Sequence, residues 1–187
     1  MSLHAAGYRK VVEMLVKFIN SSGGDNTLVY PLVFLTRHAT ELYLKEGIRS
    51  GRDFCKHRTE CAKRGHGFCS EWISDTDANL SGQPLDVWKT HNLIKLSDYL
   101  TIMSKCIGYD LSKDDDWDLI TKFLGLWERA DPSGSFFRYP MDNYGTPAKV
   151  EGNVYAGNVV KFGLRALDTI EGYCIKLDEE SRYLHEY

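Results

Sequence analysis

The sequence predicts an all-α fold, a single-domain helical bundle of about five helices. Apolar residues recur at intervals of three and four in five separate stretches, no series of strands is visible, and no segment repeats another. With 187 residues the chain can bury most of its surface around one core. Its 43% hydrophobic and 26% charged residues exclude a wholly disordered chain.

Tyr8, Val12, Leu15, Val16 and Ile19 predict the first helix, which Ser21-Ser22-Gly23-Gly24 stops. The second starts near Thr27 with Pro31 in its first turn, where a missing N–H does least harm. Leu32, Leu35, Ala39, Leu42 and Tyr43 line one side of it, and Val33, Leu44 and Ile48 cover much of the other. The pattern predicts a central helix buried on most of its circumference.

Residues 50–86 break the pattern, being rich in Gly, Ser, Asp, Cys and basic residues, and read as a long irregular insertion between helices 2 and 3. Thr90 is placed to cap the third helix, carried by Leu93, Leu96, Leu100, Met103 and Ile107 and stopped at Gly108. Ser112 with Asp115 predicts the cap of the fourth, whose buried face is Trp117, Ile120, Leu124 and Trp127. Residues 131–151 hold three prolines, two glycines and four aromatics and read as a loop pinned by its rings. The last helix runs from near Asn153 past Leu177, burying Val159, Val160, Leu164, Leu167 and Ile170.

A formal charge of -3 gives no global attraction to nucleic acid or to an anionic membrane, so any such binding needs a local patch. No stretch approaches the roughly 20 apolar residues of a membrane helix. Met1-Ser2-Leu3-His4 does not open a secretory signal. Five cysteines, an odd count without scaffold spacing, point to a reducing compartment, and the cytoplasm is the simplest expectation.

The most telling feature is Arg37-His38 within the apolar second helix. Arg37, Glu41 and Lys45 lie four apart and form one charged stripe, with His38 about 100° round from Arg37. A guanidinium on so apolar a helix must find a partner or face water. Two accounts fit: an Arg37–Glu41 pair that satisfies itself with His38 at the core edge, or a site.

The segments YPLVFLTRHATELYLKEGI, THNLIKLSDYL and SFFRYPMDNYG, in that order, resemble a group of prokaryotic HEPN-superfamily proteins (higher eukaryote and prokaryote nucleotide-binding domain). The resemblance covers most of the chain apart from the first helix and the insertion. It implies an all-α bundle, a homodimer, and roles in RNA cleavage, toxin–antitoxin modules or antiphage defence. It also implies metal-independent chemistry by an Arg and a His separated by four to six intervening residues. Such chemistry needs an acid/base near neutral pH and a cation beside the phosphate.

The chain departs from that pattern at one point. Arg138 stands in the expected late region, but Asn143 and Tyr144 occupy the positions of the His. The one literal match to the spacing, Arg52 to His57, falls in the insertion and reads as chance. The expectation is therefore a degenerate or atypical ribonuclease site joining Arg37 and His38 to Arg138, with Tyr144 a weak substitute. The plain alternative makes Arg138 a loop anchor between Phe137 and Tyr139.

Within the insertion Cys55, His57, Cys61, His66 and Cys69 offer five ligands where tetrahedral zinc takes four, so a structural zinc would hold the segment. The alternative is a solvated loop with incidental thiols. Arg49, Arg52, Lys56, Arg58, Lys63 and Arg64 face only Asp53 and Glu60 in sequence, and Phe54, Phe68 and Trp72 are interleaved. Arg52, Lys56, Arg58, Lys63 and Arg64 are thus the candidate nucleic-acid contacts. His91, before Asn92-Leu93 at a helix start, is expected to cap rather than catalyse, and Asp114-Asp115-Asp116 to serve a helix start rather than a hard metal. The competing reading of the whole is a non-enzymatic binding or scaffolding module with a zinc-stapled insertion.

Overall fold

The computed structural model describes residues 3–21, 28–63, 86–106, 110–131 and 156–185. They form five helices: α1 (Leu3–Ser21), α2 (Val29–Lys63), α3 (Leu93–Cys106), α4 (Asp115–Ala130) and α5 (Ala156–His185). A single 3-10 turn, Leu111–Lys113, precedes α4, and no strand occurs among the described residues. This is the expected all-α bundle.

α2 is the hub, packing against α1, α3 and α5, while α4 joins α3 to α5. Leu32, Val33, Ala39, Tyr43, Leu44 and Ile48 are all buried, so α2 is covered on most of its circumference as its sequence predicts. Around it the core gathers Leu93, Leu96 and Leu100 of α3, Trp117, Ile120 and Trp127 of α4, and Leu167, Ile170 and Tyr173 of α5.

One boundary is corrected. Residues 50–63, read as the start of an irregular insertion, continue α2 to a length of 35 residues. The reason lies in two glycines that resemble breakers in the sequence. A Cβ on Gly47 would stand 2.9 Å from Leu100 Cδ1, and one on Gly51 would stand 3.3 Å from Met103 Cε. Both positions let neighbouring helices come close, so they belong to the apolar series that ends at buried Phe54. Residues 64–85, the rest of that segment, lie outside the described residues, as does the 132–151 part of the aromatic loop.

Two caps also differ from expectation. Asn92, not Thr90, caps α3, its Oδ1 accepting from Lys95 N at 2.8 Å; Thr90 Oγ1 instead donates to Asp86 O at 2.8 Å. Asp114, not Ser112, caps α4 by accepting from Asp116 N at 2.9 Å, because Leu111–Lys113 is taken up by the 3-10 turn. The helix then opens on Asp115, Asp116 and Asp118, which complement its dipole.

Candidate functional site

The stripe on α2 is buried throughout: Arg37, Glu41 and Lys45 are 3%, 4% and 4% exposed. Helical spacing aligns them, and the stretch around them is apolar, so each charge is desolvated and must be satisfied by its neighbours. Glu41 is the centre. Its Oε1 accepts from Lys45 Nζ at 2.8 Å, and its Oε2 accepts from Arg37 Nη1 at 3.4 Å.

The two cations reach past Glu41 to one connection, residues 86–92, which leads into α3. Lys45 Nζ donates to Trp88 O at 3.2 Å, and Arg37 Nη2 donates to His91 O at 3.1 Å. Between them the His91 ring returns to the stripe, with Nδ1 2.9 Å from Glu41 Oε1. A carboxylate only accepts, so Nδ1 is the donor in this contact; in the neutral ring Nε2 is then the acceptor. Arg37 Nη2 also donates to Asp131 O at 3.2 Å, which ties in the end of α4. Glu128 and Asp131 carboxylates stand 4.0 Å from the guanidinium. Glu128 in turn accepts from Leu93 N at 2.9 Å and Asn92 Nδ2 at 2.8 Å, fixing the start of α3.

The connection is also held from within. Val87 is buried in the core, and the backbone N–H groups of Lys89 and Thr90 donate to Asp86 O at 3.1 and 3.0 Å. The side chains that this arrangement leaves outside are Trp88, 63% exposed, with Lys89 and His91 beside it in the chain, both exposed. Chemically, the buried stripe is a cradle of donors that sets the path of an exposed turn.

The two residues that drew attention in the sequence part company. Arg37 is absorbed by backbone carbonyls and carboxylates. His38 turns to α1, meeting Tyr8 edge-on at 4.6 Å between ring centroids and stacking on Phe34 at 5.8 Å. Arg138 and Tyr144 lie outside the described residues, as do Arg64, His66 and Cys69.

Of the basic candidates, Arg52 is half-buried, donating to Tyr99 Oη at 2.8 Å with its guanidinium 4.9 Å above the Tyr99 ring. Lys56, Arg58 and Lys63 fall on the last turns of α2, as do Cys55, His57 and Cys61. No group of three or more metal-ligating residues occurs among the described residues.

His91 was assigned to capping by its sequence position, a role that belongs to its neighbour Asn92. Its ring is the residue that sequence reasoning missed, together with Trp88 and Lys89. The available signal was the stripe itself: three buried charges on one helix need polar partners, and the polar run Asp86–Asn92 before α3 is a natural supplier.

No family model, no curated protein and no solved structure matches this chain.

Proposed function

We propose that the chain is a HEPN-like helical domain that associates with RNA in the cytoplasm, as a homodimer, in a defence or stress response. The single observation that supports this most is the continuity of α2. One unbroken helix runs from the buried stripe into the segment bearing Arg49, Arg52, Lys56, Arg58 and Lys63, with Asp53 and Glu60 among them in sequence and Arg49 paired to Glu46. A helix with that local excess gives phosphates a basic segment on a chain whose net charge of -3 would otherwise repel them. Arg52, locked against Tyr99, anchors the helix to α3.

In this reading Arg37 and His38 are structural, and ribonuclease action by that pair is not part of the function. A guanidinium 3% exposed and bonded to two backbone carbonyls is not placed to meet a phosphate. Incubating labelled single-stranded RNA with the purified protein in chelator tests both statements. Binding should weaken steeply between 50 and 200 mM salt, with a log–log slope of roughly -2 if about three phosphates are neutralised. Cleavage that disappears in His38→Ala would restore the catalytic reading. Absence of binding at low salt, or an affinity indifferent to salt, would remove the RNA reading.

A second reading, the zinc-stapled scaffold, draws support from the extended helix. Positions 57 and 61 are one turn apart on α2, whereas position 55 is about 200° round the axis from 57. A zinc site would therefore take His57 and Cys61 with His66 and Cys69. Stoichiometric zinc in the purified protein, kept in Cys55→Ser and lost in Cys61→Ser, together with no RNA binding, would favour this reading.

A further inference from the structure

We propose that the 86–92 turn is a recognition site for one unpaired ribonucleotide, in which Trp88 stacks on the base, Lys89 meets the adjoining phosphate, and His91 Nε2 accepts from the ribose 2′-hydroxyl. The inference rests on the RNA-association reading and assigns it a place separate from the basic end of α2.

Trp88 carries the first part. An indole is among the largest apolar surfaces a side chain offers, and this one is 63% exposed although Val87, its neighbour, is buried in the core. The backbone beneath it is held, because its own carbonyl accepts from the buried Lys45 Nζ. A ring held out on an anchored turn loses little freedom when a base stacks on it, and stacking tolerates any base.

Lys89 carries the second. Its side chain is 87% exposed and its only ion pair among the described residues is with half-exposed Asp86, at 3.3 Å. Such a pair is weak and exchanges readily for a phosphate.

His91 carries the third. Its side chain is 57% exposed while Nδ1 is engaged by the buried Glu41 carboxylate. That contact fixes the ring's orientation, and with the ring neutral it makes Nε2 the acceptor. The 2′-hydroxyl is the donor that RNA has and DNA lacks. The start of α3 does not compete as an anion site, since Leu93 N is taken by Glu128 and Lys95 N by Asn92.

The test measures anisotropy of a labelled eight-nucleotide oligouridylate and its deoxy counterpart against the full chain at 50 mM salt. Trp88→Ala should lower RNA affinity about tenfold or more, and Trp88→Phe should keep most of it. His91→Ala should bring the RNA and DNA affinities together by weakening RNA alone. Trp88 is exposed, and Glu41 keeps Lys45 and Arg37 when the His91 ring is removed, so both variants should melt within a few degrees of the parent. RNA bound as tightly by Trp88→Ala as by the parent, with binding lost on reversing Lys56 and Lys63 to Glu, overturns this site and leaves RNA association standing. No binding of either oligonucleotide by the parent overturns both. Equal affinity of the parent for RNA and DNA overturns the role of His91.

Discussion

Two arginines of this bundle each collect several carboxylates and do different work. Arg9 on α1 is bonded to Glu13 at 3.0 Å, to Asp168 at 2.6 Å and to Glu171, clasping α1 to α5 at the surface. Burial opposes its charge, but the hydrogen bond to Glu13 and the charges of Glu171 and Asp168 outweigh that and hold its pKa above the ordinary value. Its side chain keeps 22% of its exposure, and Asp168 keeps 62%. Arg37 is 3% exposed, and its two hydrogen bonds to backbone go to residues 54 and 94 positions away. Carboxylates alone do not tell these apart. A surface arginine that meets only side chains fastens two helices, whereas a buried one that meets carbonyls fixes the course of the chain between helices.

Arg37→Ala is the largest break in that comparison. It leaves Glu41 and Glu128 desolvated without the guanidinium and frees the carbonyls of His91 and Asp131. About 3–5 kcal/mol of stability should be lost in chemical denaturation. A loss under about 1 kcal/mol, the range of an exposed pair, would make Arg37 no different from Arg9.

Next in size is Gly163→Ala on α5, which asks whether α2 is located by packing as well as by charge. The added Cβ would overlap Thr36 Cγ2, and Thr36 has little room to rotate because its Oγ1 donates to Leu32 O at 2.7 Å. Thr36 directly precedes Arg37, so the stripe should shift with it. Thermal or urea unfolding should report about 1–3 kcal/mol lost, the usual range for overpacking. A neutral result would mean α5 can slide along α2 without disturbing the stripe.

Arg9→Ala should be the mildest, about 0.2–1 kcal/mol, and its effect should shrink further in 0.5 M salt. A large, salt-insensitive loss would show that the surface clasp is as integral as the buried stripe.

The fold is legible in the sequence because the helices state their buried faces in large apolar residues, Trp117, Ile120, Leu124 and Trp127 being the clearest case. The full length of α2 is not, because at Gly47 and Gly51 the helix meets its neighbours with no side chain at all, and periodicity counts side chains. The charged stripe was legible as a stripe, since spacing of four needs no tertiary information. What it grips was not. Backbone carbonyls carry no sequence identity, and the partners of Arg37 and Lys45 are the carbonyls of Asp131, His91 and Trp88. His38 misled for a related reason: adjacency in a helix separates two side chains by about 100°, enough to send one to the core charges and the other to the rings of Tyr8 and Phe34.

If the buried stripe holds the 86–92 turn, Lys45→Met should loosen that turn first. Methionine keeps the stem's volume and removes the lysine charge with its two bonds, to Trp88 O and to Glu41 Oε1, while Glu41 retains Arg37 and His91 as partners. Amide hydrogen exchange should then speed up at Lys89 and Thr90, whose N–H groups bond to Asp86 O, while amides in the middle of α1 and α5 keep their protection. Unchanged exchange at those two amides, or an acceleration spread evenly over the whole bundle, would show that the stripe does not hold the turn.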